Sequence, residues 1–169
     1  MKIGLISDTH FTKNTEELHP EIAKVFDGVE LIFHAGDVYV SSVLDQLELI
    51  APVFCALGNG DNDLAQDPRV KMVHILSLEG IPIGLIHGFD YPEPEWRPLE
   101  KAVEQEFGQH VDVIVFGDTH VAVVDHCKGV LLVNPGSHTF PNNLVGVSGT
   151  IGILEVSNTR AEAHIIQLP

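Results

Sequence analysis

Apolar residues fall in short blocks broken by polar and glycine-rich junctions, and the spacing inside the blocks alternates between two kinds. Lys2–Ser7, Leu31–Ala35 and Pro52–Leu57 are apolar runs of strand length. Between them, Thr15–Phe26 places Leu18, Ile22, Val25 and Phe26 at helical spacing. Ser41–Ile50 opens on a serine able to cap a helix N-terminus and predicts a second helix. The resulting β-α-β-α-β order argues for a mainly parallel sheet with crossover helices.

The second half reads differently. Ile81–Ile86 and Val111–Phe116 predict strands, with a helix over Arg97–Phe107 between them. Four short strands follow at close spacing: Val121–His126, Val130–Val133, Gly149–Val156 and Ala161–Gln167, with turns at Gly129 and Asn158. This spacing predicts an antiparallel meander forming a second sheet. The expectation is an α/β chain with two sheets packed face to face, helices outside, and one domain over residues 1–169. Gly88–Pro98 contains three prolines and predicts an irregular surface loop. Its aromatic residues Phe89, Tyr91 and Trp96 are open to three readings: a dimer contact, a substrate lid, or anchors for the loop itself.

Composition narrows the function classes. At 169 residues the chain can bury roughly 70% of its unfolded surface, so its core needs no covalent staples. No apolar run reaches the ~20 residues of a membrane span. The N-terminal run turns polar after seven residues, too early for a signal peptide, which predicts a cytoplasmic protein. Cys55 and Cys127 lie in apolar runs and predict buried thiols rather than a disulfide framework. Twenty-four acidic residues oppose nine basic ones, a net charge of −15. Such a surface repels nucleic-acid duplexes and anionic membranes. The nine basic residues form no stripe, so positive charge for a phosphate would have to come from elsewhere, and ten histidines point to metal.

Five apolar strands end in residues that bind metals well: Asp8-Thr9-His10, Asp37, Asn59 with Asp61 close behind, His87, and Asp118-Thr119-His120. In open α/β sheets, ligands bind beyond the carboxyl ends of the strands, so these groups are expected to converge on one edge. Asp8, His10, Asp37, Asn59, His87, Asp118 and His120 make seven candidate ligands. A single zinc site takes three or four, so seven suit two ions sharing a carboxylate. Asp8 and His10 are expected on one face of an extended segment, through the period-two alternation of strand side chains, and Asp118 and His120 repeat the pattern. Any one such aspartate is more commonly a cap or turn residue; five strand ends together argue against chance. His19, His74, His110 and His164 lie away from strand ends and read as ordinary, while His34, His126 and His138 are ambiguous. His34, three residues before Asp37, is placed to orient a ligand through its ring N–H.

Asp8-x-His10, Gly36-Asp37, Gly58-Asn59-x-Asp61, His87-Gly88 and Gly117-x-Thr119-His120, in this order, resemble the motifs of the calcineurin-like metallophosphoesterases. Asn134-Pro135-Gly136-Ser137 resembles a segment of their small, single-domain bacterial and archaeal phosphodiesterase branch. The resemblance runs from residue 3 to about residue 155. It implies a four-layer αββα sandwich and a dinuclear centre. One ion would be held by Asp8, His10, Asp37 and His120, and the other by Asp37, Asn59, His87 and Asp118, with Asp37 as the bridge. The implied cofactors are two divalent ions, manganese foremost, with iron, zinc, nickel and magnesium as the other candidates. The implied activity is a phosphoesterase, in first place a phosphodiesterase, that attacks a small phosphorylated substrate with a metal-bridging hydroxide. Asp37, Asn59, Asp61 and His120 are the candidate catalytic residues.

Two positions depart from the family pattern. Asp118 stands where a histidine is usual, which makes the second site richer in oxygen. Gly60 stands where a histidine or cysteine usually helps protonate the leaving group, so substrates with acidic leaving groups are expected to react best. A different class of function is also implied: one eukaryotic branch of the fold is a retromer scaffold subunit that binds partner proteins. Natural substrate and oligomeric state, including a homo-oligomer, stay open at this level.

Overall fold

The structure, a computed structural model, describes all 169 residues. Eleven strands and three α-helices occur in the order β1 (Lys2–Ile6), α1 (Pro20–Val25), β2 (Leu31–His34), α2 (Ser41–Glu48), β3 (Val53–Ala56), β4 (Val70–Lys71), β5 (Val73–Leu78), β6 (Ile81–Ile86), α3 (Leu99–Phe107), β7 (Val113–Val115), β8 (Val123–Cys127), β9 (Val130–Asn134), β10 (Thr150–Ser157) and β11 (Arg160–Gln167). One sheet has the order β11-β10-β1-β2-β3-β4 and the other β5-β6-β7-β9-β8. Strands β1 to β4 run parallel, as do β6, β7 and β9, and antiparallel strands complete both sheets.

Alternation along the strands divides the core into three layers. Ile3, Leu5 and Phe33 meet Ile83, Leu85, Val113 and Val133 between the sheets. On the outer face of the first sheet, Ile6, Ile32 and Cys55 pack against Ile22 and Phe26 of the α1 region and Val43, Leu44 and Leu47 of α2. On the outer face of the second, Ile114 and Leu132 pack against Leu99, Val103 and Phe107 of α3. The architecture is therefore the four-layer αββα sandwich.

Several local expectations are corrected. The last four strands do not form a sheet of their own: β8-β9 closes the second sheet, and β10-β11 crosses to the first, where β10 pairs antiparallel with β1. The reason is burial on both faces. Ile151 and Ile153 of β10 face the helices while Leu154 and Val156 face the sheet interface, so β10 needs a neighbour on each side, and β1 supplies one. Strands β4 and β5 escape the hydrophobic pattern because one has two residues and the other carries His74 and Ser77 among its apolar positions. Helix α1 starts at Pro20, not Thr15, with the His19 ring capping the Glu21 N–H; proline favours the first helical turn and disfavours helix before it. Pro98 is the N-cap of α3 and disfavours helix at Arg97 before it, so that helix starts at Leu99. Cys55 is buried and Cys127 half-buried, both as free thiols. No helix is long and apolar enough to cross a membrane.

Helix α2 lies on the first sheet through Leu47, which is fully buried, whereas Leu49 just beyond it is 88% exposed. Leu47→Ala should cost about 2–5 kcal/mol by removing methyl groups from a closed layer. Leu49→Ala should stay within about 0.5 kcal/mol of wild type. Urea denaturation of both variants checks the layer assignment; equal losses would refute it.

Candidate metal centre

The carboxyl ends of β1, β2, β3, β6 and β7 lie along one edge of the sandwich, and each leads into a candidate ligand. Main-chain bonds zip neighbouring loops together: Asp8 N–H to Gly36 O at 2.9 Å, His10 N–H to Asp37 O at 3.0 Å, and Gly117 N–H to His87 O at 2.8 Å. The sheets approach so closely here that a Cβ on Gly117 would lie 2.1 Å from Ser7 Oγ.

Asp8 and His10 do not lie on an extended segment. Strand β1 ends at Ile6, and Asp8, His10, Asp37, Asp118 and His120 all have φ between 52° and 68°. Aspartate and histidine are among the residues that tolerate this left-handed region best. The turned backbone still brings the pairs together. Ligand atoms of Asp8, His10 and His120 form one group within 4.8 Å of one another, and those of Asp8, Asp37 and His87 form another.

Distances between these atoms match the edges of a coordination shell. Ligands ~2.1 Å from a tetrahedral ion lie ~3.4 Å apart. His10 Nε2 is 3.6 Å from Asp37 Oδ2, His120 Nε2 is 3.5 Å from Asp8 Oδ1, and His10 Nε2 is 3.1 Å from His120 Nε2. On the other side, His87 Nε2 is 3.6 Å from Asp37 Oδ1 and 3.5 Å from Asp118 Oδ1. Asp37 thus turns one oxygen to each half, while Asp8 belongs to both groups. Asp118 Oδ1 accepts Asn59 Nδ2–H at 3.2 Å rather than a backbone N–H, so both side chains face the second half.

The donor set fits divalent cations. Asp8 Oδ1 and His87 Nε2 are buried without a hydrogen-bond partner, an arrangement costly for polar atoms unless something binds them. His87 Nδ1 lies 2.7 Å from Ala35 O and His120 Nδ1 3.1 Å from Phe140 O. Each Nδ1–H therefore donates to a carbonyl, and each Nε2 lone pair is turned towards the centre, the usual support of a metal-binding histidine. The neighbouring Asp8 carboxylate, reinforced by the charge of Asp37, raises the His10 pKa.

Asp61 is placed differently from the other candidates. It is fully buried; Oδ1 accepts Val38 and Tyr39 N–H at 2.8 Å, and Oδ2 accepts Gly58 N–H at 2.9 Å. Its carboxylate clamps the loop after β2 to the loop after β3 and so positions Asp37 and Asn59. Further supports hold the loops that carry Asp8 and Asp118. Asn134 Nδ2–H donates to Gly117 O at 2.9 Å, Ser137 Oγ–H to Asp8 O at 2.7 Å, and Thr139 Oγ1–H to Thr9 O at 3.0 Å. The Asn134–Ser137 motif was visible, but its partners lie far away along the chain. Tyr39 fills the space beside Gly60, where a Cβ would lie 1.8 Å from Tyr39 Cε1, and stands edge-on to His10 at 4.7 Å between ring centroids.

The family profile described as "calcineurin-like phosphoesterase superfamily domain" matches residues 1–159. The chain belongs to that superfamily. A probable metallophosphoesterase of Methanothermobacter thermautotrophicus is 34% identical over 168 residues, spanning 99% of this chain and 92% of that protein. A phosphodiesterase of Methanocaldococcus jannaschii is 28% identical over 183 residues, spanning 99% and 100%. Among solved structures, Vps29 of Entamoeba histolytica in complex with zinc superposes with a TM-score of 0.72 at 17% identity, covering 99% of each chain, a likeness of fold alone. The superfamily uses divalent metals, and the two ligand groups stand where this fold gathers its strand ends.

Buried histidines beside the centre give a pH signature. His34 is fully buried, and burial drives its pKa down to about 3. Its Nδ1 accepts Gly36 N–H at 3.1 Å, so the neutral ring carries its proton on Nε2 and donates it to Thr9 Oγ1 at 2.8 Å. His138, packed edge-on against Phe11, is pushed down to about 4 by burial. Depressed below 6.5, both rings are neutral in the fold and take up protons on unfolding. Their stabilisation is whole above pH 6.5 and is lost as pH falls, towards about 4 for His138 and about 3 for His34. His10, raised above 6.5, works in the opposite sense. In chelator-treated protein, His138→Phe should flatten the fall in unfolding free energy between pH 6.5 and 5 by about 1 kcal/mol per pH unit. Parallel wild-type and variant curves would exclude His138 as a titrating group.

Proposed function

We propose that the protein is a phosphodiesterase dependent on two divalent ions. The observation that carries this is the pair of ligand groups, which share Asp8, are spanned by Asp37 and include two buried lone-pair atoms without a hydrogen-bond partner, Asp8 Oδ1 and His87 Nε2. In this reading Asp8, His10, Asp37 and His120 hold one ion, and Asp37, Asn59, His87 and Asp118 hold the other, with Asp37 as the bridge. Manganese is the preferred ion, because the second set offers three oxygen donors and one nitrogen. Bound there, divalent cations would neutralise phosphate oxygens and lower the pKa of a bound water.

The chain's own groups supply the rest. Gly60 N–H donates to Asp37 Oδ1 at 2.8 Å, which holds that carboxylate between the two halves. The carbonyls of Ala35 and Phe140 keep the Nδ1 protons of His87 and His120 away from the centre. Position 60 offers no side-chain proton to a leaving oxygen, and the Tyr39 ring occupies the space beside it. Diesters with acidic leaving groups, such as aryl esters, fit best because their departure needs no general acid. The relative named a phosphodiesterase, at 28% identity, supports the diester choice. A scaffold role like that of a retromer subunit would need none of these ligands. A cytoplasmic setting belongs to the same proposal and accords with two free thiols.

Asp37→Asn removes a charge shared by two cations. It should abolish hydrolysis of bis(p-nitrophenyl) phosphate and lower bound metal, with circular dichroism unchanged. Wild-type rates at saturating manganese would refute the dinuclear reading. Asp118→His should raise activity with nickel relative to manganese, by replacing an oxygen donor with imidazole. Titrations of both ions against wild type and variant check this, and an unchanged ranking would show that Asp118 does not ligate.

A further inference from the structure

Beyond Asp118 the edge opens into a cavity of about 370 Å³, lined by Phe89, Tyr91, Pro92 and Trp96 together with Asp118 and Thr119. Its size falls in the range of small-molecule sites, and it adjoins the centre through Asp118, a proposed ligand whose Oδ1 is 3.5 Å from His87 Nε2. The walls are built rather than loose. Phe89 is buried and leans on Phe116, and Tyr91 meets Phe116 and donates its hydroxyl to Asp125. Arg97 ties the loop down through Asp90 Oδ2 at 2.8 Å, Gln105 Oε1 at 2.9 Å and Glu106. Against these anchors Trp96 is 74% exposed, a large aromatic face with little covering it.

Charge selects the occupant. The one cation lining the cavity, Arg97, is already met by Asp90 and Glu106, and Asp118 adds negative charge at the inner end. Nothing there would hold a second phosphate, whereas the open indole can stack a flat uncharged ring. We propose that this cavity receives an uncharged aromatic or heteroaromatic ring, such as a nucleobase, carried on the phosphate ester, with Trp96 as its stacking face; the inference rests on the phosphoesterase reading of the adjoining centre. Aromatic stacking of a base discriminates little among rings, so a range of aryl and nucleoside esters should be accepted, and simple alkyl esters poorly.

Trp96 is the sole tryptophan, so its fluorescence reports occupancy directly. With manganese present, adenosine 5′-monophosphate should quench it saturably, and ribose 5-phosphate, the same phosphate without the ring, should not. In hydrolysis of bis(p-nitrophenyl) phosphate, Trp96→Ala should raise KM about tenfold with kcat within about threefold, and Trp96→Phe should restore most of the KM. Equal quenching by both phosphates would overturn the subsite, as would an unchanged KM in Trp96→Ala. A concentration-dependent emission shift, with dimers that Trp96→Ala abolishes in sedimentation, would assign the face to a second copy and also overturn it. If no diester is hydrolysed with any of the divalent ions, the phosphoesterase reading fails, while the fluorescence titration still decides whether the ring binds.

Discussion

Five of the seven candidate ligands leave their strands with left-handed backbone, and most of the surrounding edge exists to hold them there. Such conformations cost about 1–3 kcal/mol each outside glycine and persist only where neighbours over-determine them. The neighbours come from both sheets. Ser137 and Thr139, after β9, bond to the carbonyls of Asp8 and Thr9, after β1. Asn134 holds Gly117 and Thr119 within the second sheet. One strained row of ligands is thus locked by a single polar segment that crosses from sheet to sheet, so local backbone cost and interlayer packing are coupled at the site.

The same economy governs the loops after β2 and β3. Asp61 satisfies three N–H groups belonging to both, and its burial fixes where Asp37 and Asn59 stand relative to each other. Tyr39, whose N–H is one of those three, projects its ring over the α-carbon of Gly60. Absence of a side chain at 60 is therefore not a simple deletion. Any Cβ there would overlap the Tyr39 ring, so a histidine at 60 would have to displace an aromatic that also borders His10. Residues 39 and 60 form one unit, and a general acid cannot be restored by changing only one of them.

Which strand ends carry the chemistry was legible, because short apolar runs stop at Asp, Asn or His five times over, and strand ends in parallel sheets share one edge. How the ligands turn was not legible. Period-two alternation assumes an extended chain, while Asp8 and His10 reach the same cluster through φ values of 52°. Asp61 illustrates a second limit. Its place beside Asn59 does not reveal that two of its three partners are backbone N–H groups of Val38 and Tyr39, more than twenty residues away. Sheet membership of β10 was hidden for a related reason: spacing reveals that strands are close in sequence, and only burial on both faces reveals that β10 must be interior. Charge and the missing cation stripe, by contrast, were read directly and bear on function unchanged.

That charge decides how phosphate is recognised under the proposed function. Of the nine basic residues, Lys24, Arg69, Arg97, Lys128 and Arg160 are engaged with carboxylates, and none of the nine belongs to either ligand group. A site of three carboxylates on a chain of net charge −15 repels a phosphate ester until divalent ions invert its local sign. Bound there, such ions would serve twice, as catalysts and as the principal positive charge the substrate meets. Because the field beyond the centre stays negative, a diester with one charge pays a smaller approach cost than a monoester with two. The electrostatics of the whole surface therefore favour the same class of substrate as the missing acid at position 60: a singly charged ester whose leaving group departs unaided.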